Sequence, residues 1–94
     1  MKNKNDKLFI IACEGGNLNL AKYFLSLGVE ARAFNNLALR RASRNGHLEV
    51  VKYLLEQGIS VQVGVDFALY EALFSKQSEI IDYLEEYRIN EADF

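Results

Sequence analysis

The sequence predicts an all-α fold, a stack of three helix-turn-helix repeats joined by short extended connections. Three observations predict it. First, the 94-residue chain repeats itself: "GHLEVVKYLLEQGISV" (Gly46–Val61) has imperfect copies thirty residues upstream, "GNLNLAKYFLSLGVEA", and thirty downstream, "KQSEIIDYLEEYRINE". At that spacing Tyr23, Tyr53 and Tyr83 are identical, and Leu20, Val50 and Ile80 match, as do Ala12, Ala42 and Ala72. Second, apolar residues inside each copy recur at helical spacing, as Val51, Leu54 and Leu55 do in the middle copy. Third, turn signals recur with the period at Gly15-Gly16 and Asn45-Gly46. Helices of about ten residues cannot hold their own shape in water. Stacked pairs can, because their apolar stripes join into one core.

The elements follow in order. Asp6, Asn36 and Asp66 stand thirty apart and are expected as N-caps, whose side-chain oxygens accept from first-turn N–H groups. Each opens a first helix carrying Phe9, Leu39 or Leu69 and then Ala12, Ala42 or Ala72. Gly15-Gly16 and Asn45-Gly46 end the first two of these with a tight turn. The second helix of the middle unit is expected at about Leu48–Gln57, and Gly28 and Gly58 are expected to stop the second helices. Val29–Asn35 and Ile59–Val65 read as extended connections. The whole chain, 1–94, reads as one domain with repeats at about 6–35, 36–65 and 66–94. Ser78, Glu85 and Arg88 replace Leu48, Leu55 and Gly58 in the last repeat, the pattern of a water-facing cap. This points to a complete three-repeat protein of modest stability, with the first unit starting directly at its helix.

Half the residues are hydrophobic, but no apolar run approaches the ~20 residues that cross a bilayer. The start "MKNKNDKLFIIACEGG" lacks a signal-peptide pattern, so an intracellular, cytoplasmic protein is expected. Cys13 is the only cysteine, which rules out an intrachain disulfide and points away from a cysteine zinc site. The net charge of −2 is unevenly spread. Residues 1–47 hold eight basic against three acidic side chains, and residues 48–94 three against ten. Such polarity steers association.

"NGHLEVVKYLLEQGISV" closely resembles the second half of an ankyrin repeat, and the resemblance extends over about residues 6–90. Two departures stand out: the usual Thr-Pro-Leu-His opening is here Leu37-Ala38-Leu39-Arg40, and the period is thirty. Thirty-residue units reading "NNLALRRASRNGHLEVVKYL" look like the ankyrin arrays of giant amoeba-infecting DNA viruses. The resemblance implies a non-catalytic module that presents a concave face to one protein partner, in the host cytoplasm if viral. Matching the family's variable positions implies partner contacts at Phe34, Asn35 and Asn36, at Arg40, Arg41, Arg44 and Asn45, and at Val65, Tyr70, Glu71, Phe74 and Ser75. Phe34 and Phe74 read either as exposed anchors or as packed caps. It also implies that His47, the family's loop histidine, is structural.

The residues show no catalytic constellation. There is no phosphate-binding glycine loop, no metal-ligand cluster and no nucleophile–base–orienter set, so neither an enzyme nor a cofactor is expected. The acids of "SEIIDYLEEY" read as a solvated helix face and not as a calcium site. Arg40, Arg41 and Arg44 share a helix face and raise nucleic-acid binding. A phosphate-tracking stripe would continue across repeats; this one meets Ile10-Ile11 on one side and Glu71 on the other. An ion pair Arg41–Glu71 and a cation–π contact Arg40–Tyr70 are expected instead. The basic-aromatic centre suggests a partner with an acidic segment. The alternative is head-to-tail self-association, from the charge polarity and the apolar first unit.

Overall fold

A computed structural model of the chain describes residues 4–57 and 61–92, with side chains at 4–57 and 64–88. Among the described residues six helices follow one another: α1 (Lys4–Glu14), α2 (Leu18–Ser26), α3 (Ala33–Arg44), α4 (Leu48–Glu56), α5 (Val61–Phe74) and α6 (Ser78–Ala92). No strand occurs among the described residues. The helices form three pairs. The leading helices stack in a row, α1 on α3 on α5, and each trailing helix, α2, α4 or α6, packs on its own leader.

The repeat explains the packing. Phe9, Leu39 and Leu69 are buried in the leading helices beside Ala12, Ala42 and Ala72, whose small side chains allow close approach. The trailing helices add Ala21, Phe24, Val51, Leu54 and Leu84 to the same continuous core. Alanine at the same place in all three leaders therefore sets how near neighbouring helices can come.

Every leading helix ends in the same way. At α1, the Gly16 N–H donates to the Cys13 carbonyl (3.1 Å) and the Asn17 N–H to Ala12 (2.8 Å). This Schellman closure needs a left-handed residue, and Gly16 supplies it at φ +77°. Gly46 repeats it at α3 with φ +83°. At α5 the residue is Lys76, left-handed at φ +58° with a full side chain. Gly28 ends α2 likewise, with φ +94°; Gly58 lies outside the described residues.

Three expectations are corrected here. The connection Val29–Asn35 is not extended: Phe34, Asn35 and Asn36 form a left-handed turn (φ 57–61°), and right-handed helix begins only at Leu37. Within Ile59–Val65, residues 61–65 are already helical. The N-cap roles also change. Asn36 is buried, but its Oδ1 has no hydrogen-bond partner among the described residues, so it makes no N-cap bond there. Asp66 lies inside α5 and pairs instead with Arg88 at 3.7 Å. A shortened connection forces these changes, because the backbone must reverse within a few residues and a left-handed turn is a tight way to do so.

Candidate functional site

The leading helices turn one common side to solvent, and most of the sequence-predicted contact residues sit there. Arg40, Arg41 and Arg44 project from α3, with Tyr70, Glu71 and Phe74 on α5. Helical spacing places Phe67, Tyr70 and Phe74 on one stripe of α5. All three are exposed, Tyr70 at 68% and Phe74 at 75%. Phe34 and Asn35 are exposed on the left-handed turn, and Asn45 at the end of α3. Val65 is fully buried and takes no part in this surface; Ser75 is partly buried at the helix end.

The arginines are engaged within the chain. Glu71, only 6% exposed, accepts from Arg44 Nε at 3.0 Å and lies 3.6 Å from Arg40 Nε. Arg41 Nη1 donates to Glu14 at 3.2 Å. Thus the expected Arg41–Glu71 pair is replaced by Arg44–Glu71 and Arg41–Glu14. The expected Arg40–Tyr70 contact is replaced too, since the Arg40 guanidinium lies 5.5 Å over the Phe67 ring. The reason is a stagger. Residues thirty apart are equivalent, but the leading helices meet out of register, so three of these contacts run at a separation of 27 and the Arg40–Glu71 pair at 31. Buried Glu71 and Asn36 therefore serve the interior and are not surface contacts, contrary to expectation. Asn45 also works between repeats, its amide donating to the Glu14 carbonyl at 3.0 Å.

Sequence reasoning missed Phe67, and it missed a second feature at the other end of this side. Lys7, Ile10, Ile11, Glu14, Phe34, Leu37 and Arg41 line a mostly apolar groove of about 290 Å³. Phe34 forms one wall because the left-handed turn lifts it toward α1. The signal for Phe67 lay in the sequence as an i, i+3, i+7 aromatic series, masked because its counterparts, Lys7 and Leu37, are not aromatic.

Chemistry has little footing. Cys13 is fully buried, and burial pushes its thiol up to about 12, so it stays protonated at neutral pH. His47 lies over Gly16: a methyl group added there would come within 2.5 Å of Nδ1. Gln77 covers Gly46 in the same manner. The histidine thus has a packing role and makes no side-chain cap bond. Among the described residues no cluster of His, Cys, Asp and Glu could hold a metal ion, and no helix is long and apolar enough to cross a membrane.

Stacked helical pairs with glycine turns and a shared leading-helix side define a helical-repeat protein. The model of the family described as ankyrin repeats (3 copies) matches residues 1–65, and the chain belongs to the ankyrin repeat family. An ankyrin repeat protein of Acanthamoeba polyphaga mimivirus is 48% identical over 40 residues, covering 43% of this chain and 19% of that relative. The chain thus spans about a fifth of the relative's length. The resemblance to giant-virus ankyrin arrays is borne out by that match. No solved structure matches the chain. Ankyrin repeats generally mediate protein–protein interaction and are typically non-catalytic.

Proposed function

We propose that this chain is a non-catalytic adaptor, one ankyrin domain over residues 1–94, that receives a single protein partner on a concave side formed by its leading helices. The observation that carries the proposal is the exposed aromatic stripe Phe67–Tyr70–Phe74 beside the guanidiniums of Arg40 and Arg44. Aromatic and arginine side chains typically dominate binding energy, and a preformed surface loses little freedom on binding. Two guanidiniums around one Glu71 carboxylate leave a single surplus positive charge. The partner's acidic segment then needs only one well-placed carboxylate, and the aromatics supply most of the affinity. Phe34 and the groove beside it offer a second anchor point. The mimivirus relative supports a place in the cytoplasm of an infected cell. Nucleic-acid binding loses its motive, because Arg40, Arg41 and Arg44 each have a carboxylate neighbour.

Affinity capture from host-cell extract tests the proposal. The double variant Phe34→Ser/Tyr70→Ser should lose the captured protein, and Tyr23→Ser on α2 should keep it, both with unchanged helical circular dichroism. Capture that survives the double variant would discard this side. A second proposal, head-to-tail association of copies, competes with the first for Tyr70 and Phe74 and adds apolar Leu8 and Leu20 at one end of the stack and Leu73 at the other, all exposed.

A further inference from the structure

We infer that a second copy of this chain takes the place of a fourth repeat, its α1 and α2 stacking on α5 and α6 in the register of the internal junctions. The inference rests on the head-to-tail proposal and adds to it a specific set of contacts.

Contacts between repeats recur at two separations. On the leading helices three contacts lie at 27 residues, Glu14–Arg41, Arg44–Glu71 and Arg40–Phe67, with Arg40–Glu71 at 31 beside them. On the trailing helices it is 31, with Lys22 Nζ 5.0 Å over Tyr53 and Lys52 Nζ 5.5 Å over Tyr83. The turns share the separation of 31, with His47 over Gly16 and Gln77 over Gly46. The same steps taken once more, onto a second copy, pair Phe74 with Ile11, Tyr70 with Lys7, Asp82 with Tyr23 and Lys76 with Asn17.

Each pair is chemically matched. Phe74 and Ile11 are 75% and 60% exposed, two large apolar side chains that would cover each other. The Lys7 ammonium finds the Tyr70 ring, as Arg40 finds Phe67. The Tyr23 hydroxyl can donate to the Asp82 carboxylate. Lys76 carries a Cβ where Gly16 and Gly46 leave no room for one beneath His47 and Gln77. Asn17 is shorter than either and is folded back, accepting from its own helix at the Leu20 N–H (3.1 Å), which leaves that room.

Burial agrees with the register. Ala38 and Ala68 are fully buried and Val50 and Ile80 nearly so, while their first-repeat counterparts Leu8 and Leu20 are exposed. Together with Ile11 and Phe24 these two leucines line a hollow of about 460 Å³. At the opposite end Leu73 is 53% exposed, although its counterparts Cys13 and Ser43 are fully buried. Charge is complementary as well: Lys4 and Lys7 are exposed at the first end, and Asp82, Glu85 and Glu86 at the other. The two faces differ, so the contact leaves one of each open and can propagate.

Sedimentation velocity of the 94-residue chain over a concentration series tests this. Association should rise with concentration into a series of sizes. Phe74→Glu should weaken it about tenfold or more, because a carboxylate is pressed against Ile11. Phe74→Glu/Ile11→Arg should restore it by rebuilding the Glu14–Arg41 pair at the junction, whereas Phe74→Glu/Leu27→Arg should not. The mutated side chains are exposed, and circular dichroism checks that the fold persists. A wild-type chain that stays monomeric at every concentration overturns both the register and head-to-tail association. If association survives Phe74→Glu, or Leu27→Arg rescues as well as Ile11→Arg, the register falls and association itself stands.

Discussion

Ser43 and Leu73 hold the same place in successive repeats, yet the polar serine is fully buried and the leucine is more than half exposed. The difference lies in the neighbour. The next helix pair covers Ser43, whereas Leu73 faces the open end of the described stack. Inside the stack even a serine hydroxyl with no hydrogen-bond partner among the described residues is held in the interior, and at the ends apolar residues remain wet. In this molecule burial is a property of junctions before it is a property of residues. Stability should therefore concentrate in the middle repeat and decline toward both ends, as nearest-neighbour stacking requires.

Truncation sharpens the comparison most. Leu39→Ala, at a fully buried site in α3, should cost about 3 kcal/mol in urea unfolding. Leu73→Ala removes the same atoms at the open end and should cost less than about 0.5 kcal/mol. Equal losses would mean that Leu73 is covered after all.

Turn residues come next. Gly16→Ala places a methyl group against the His47 ring in a left-handed residue, and thermal unfolding should register a loss of about 2 kcal/mol. Among the ion pairs, Glu71→Ala should cost about 1–2 kcal/mol, because a buried carboxylate that serves two guanidiniums is lost. Glu14→Ala removes a half-exposed partner of Arg41 and should cost about 0.5 kcal/mol or less. If the two glutamates weigh the same, burial is not what separates the two junctions.

The smallest effect should have the opposite sign. Lys76→Gly relieves a left-handed lysine and should stabilise the fold by about 0.5–1 kcal/mol. The variant is also a check on the turn itself, since a destabilised Lys76→Gly would mean that the side chain, and not the backbone, holds the end of α5.

Much of this fold was legible in the sequence, because a period is a strong signal. The thirty-residue spacing of Tyr23, Tyr53 and Tyr83 located three helix pairs, and the turn glycines located their ends. The ion pairs were misassigned for a physical reason. Alignment matches Arg41 with Glu71, but stacked helices meet one turn out of register, and nothing in a one-dimensional period encodes that stagger. The left-handed turn at Phe34–Asn36 was equally hidden, since no glycine marks it. Of the candidate residues, Arg44, Tyr70 and Phe74 are exposed and Arg40 is half-buried, whereas Asn36 and Glu71 are buried. Variable positions in a scaffold family report surface on average, and a shortened connection moved Asn36 inward.

Native-state hydrogen exchange of the monomeric chain, followed residue by residue at a concentration too low for copies to associate, tests most directly the claim that burial belongs to junctions. The expected result is slowest exchange in α3 and α4, with faster exchange toward α1 and α6. Uniform protection along the chain, or slowest exchange in the first or last helix pair, would contradict it.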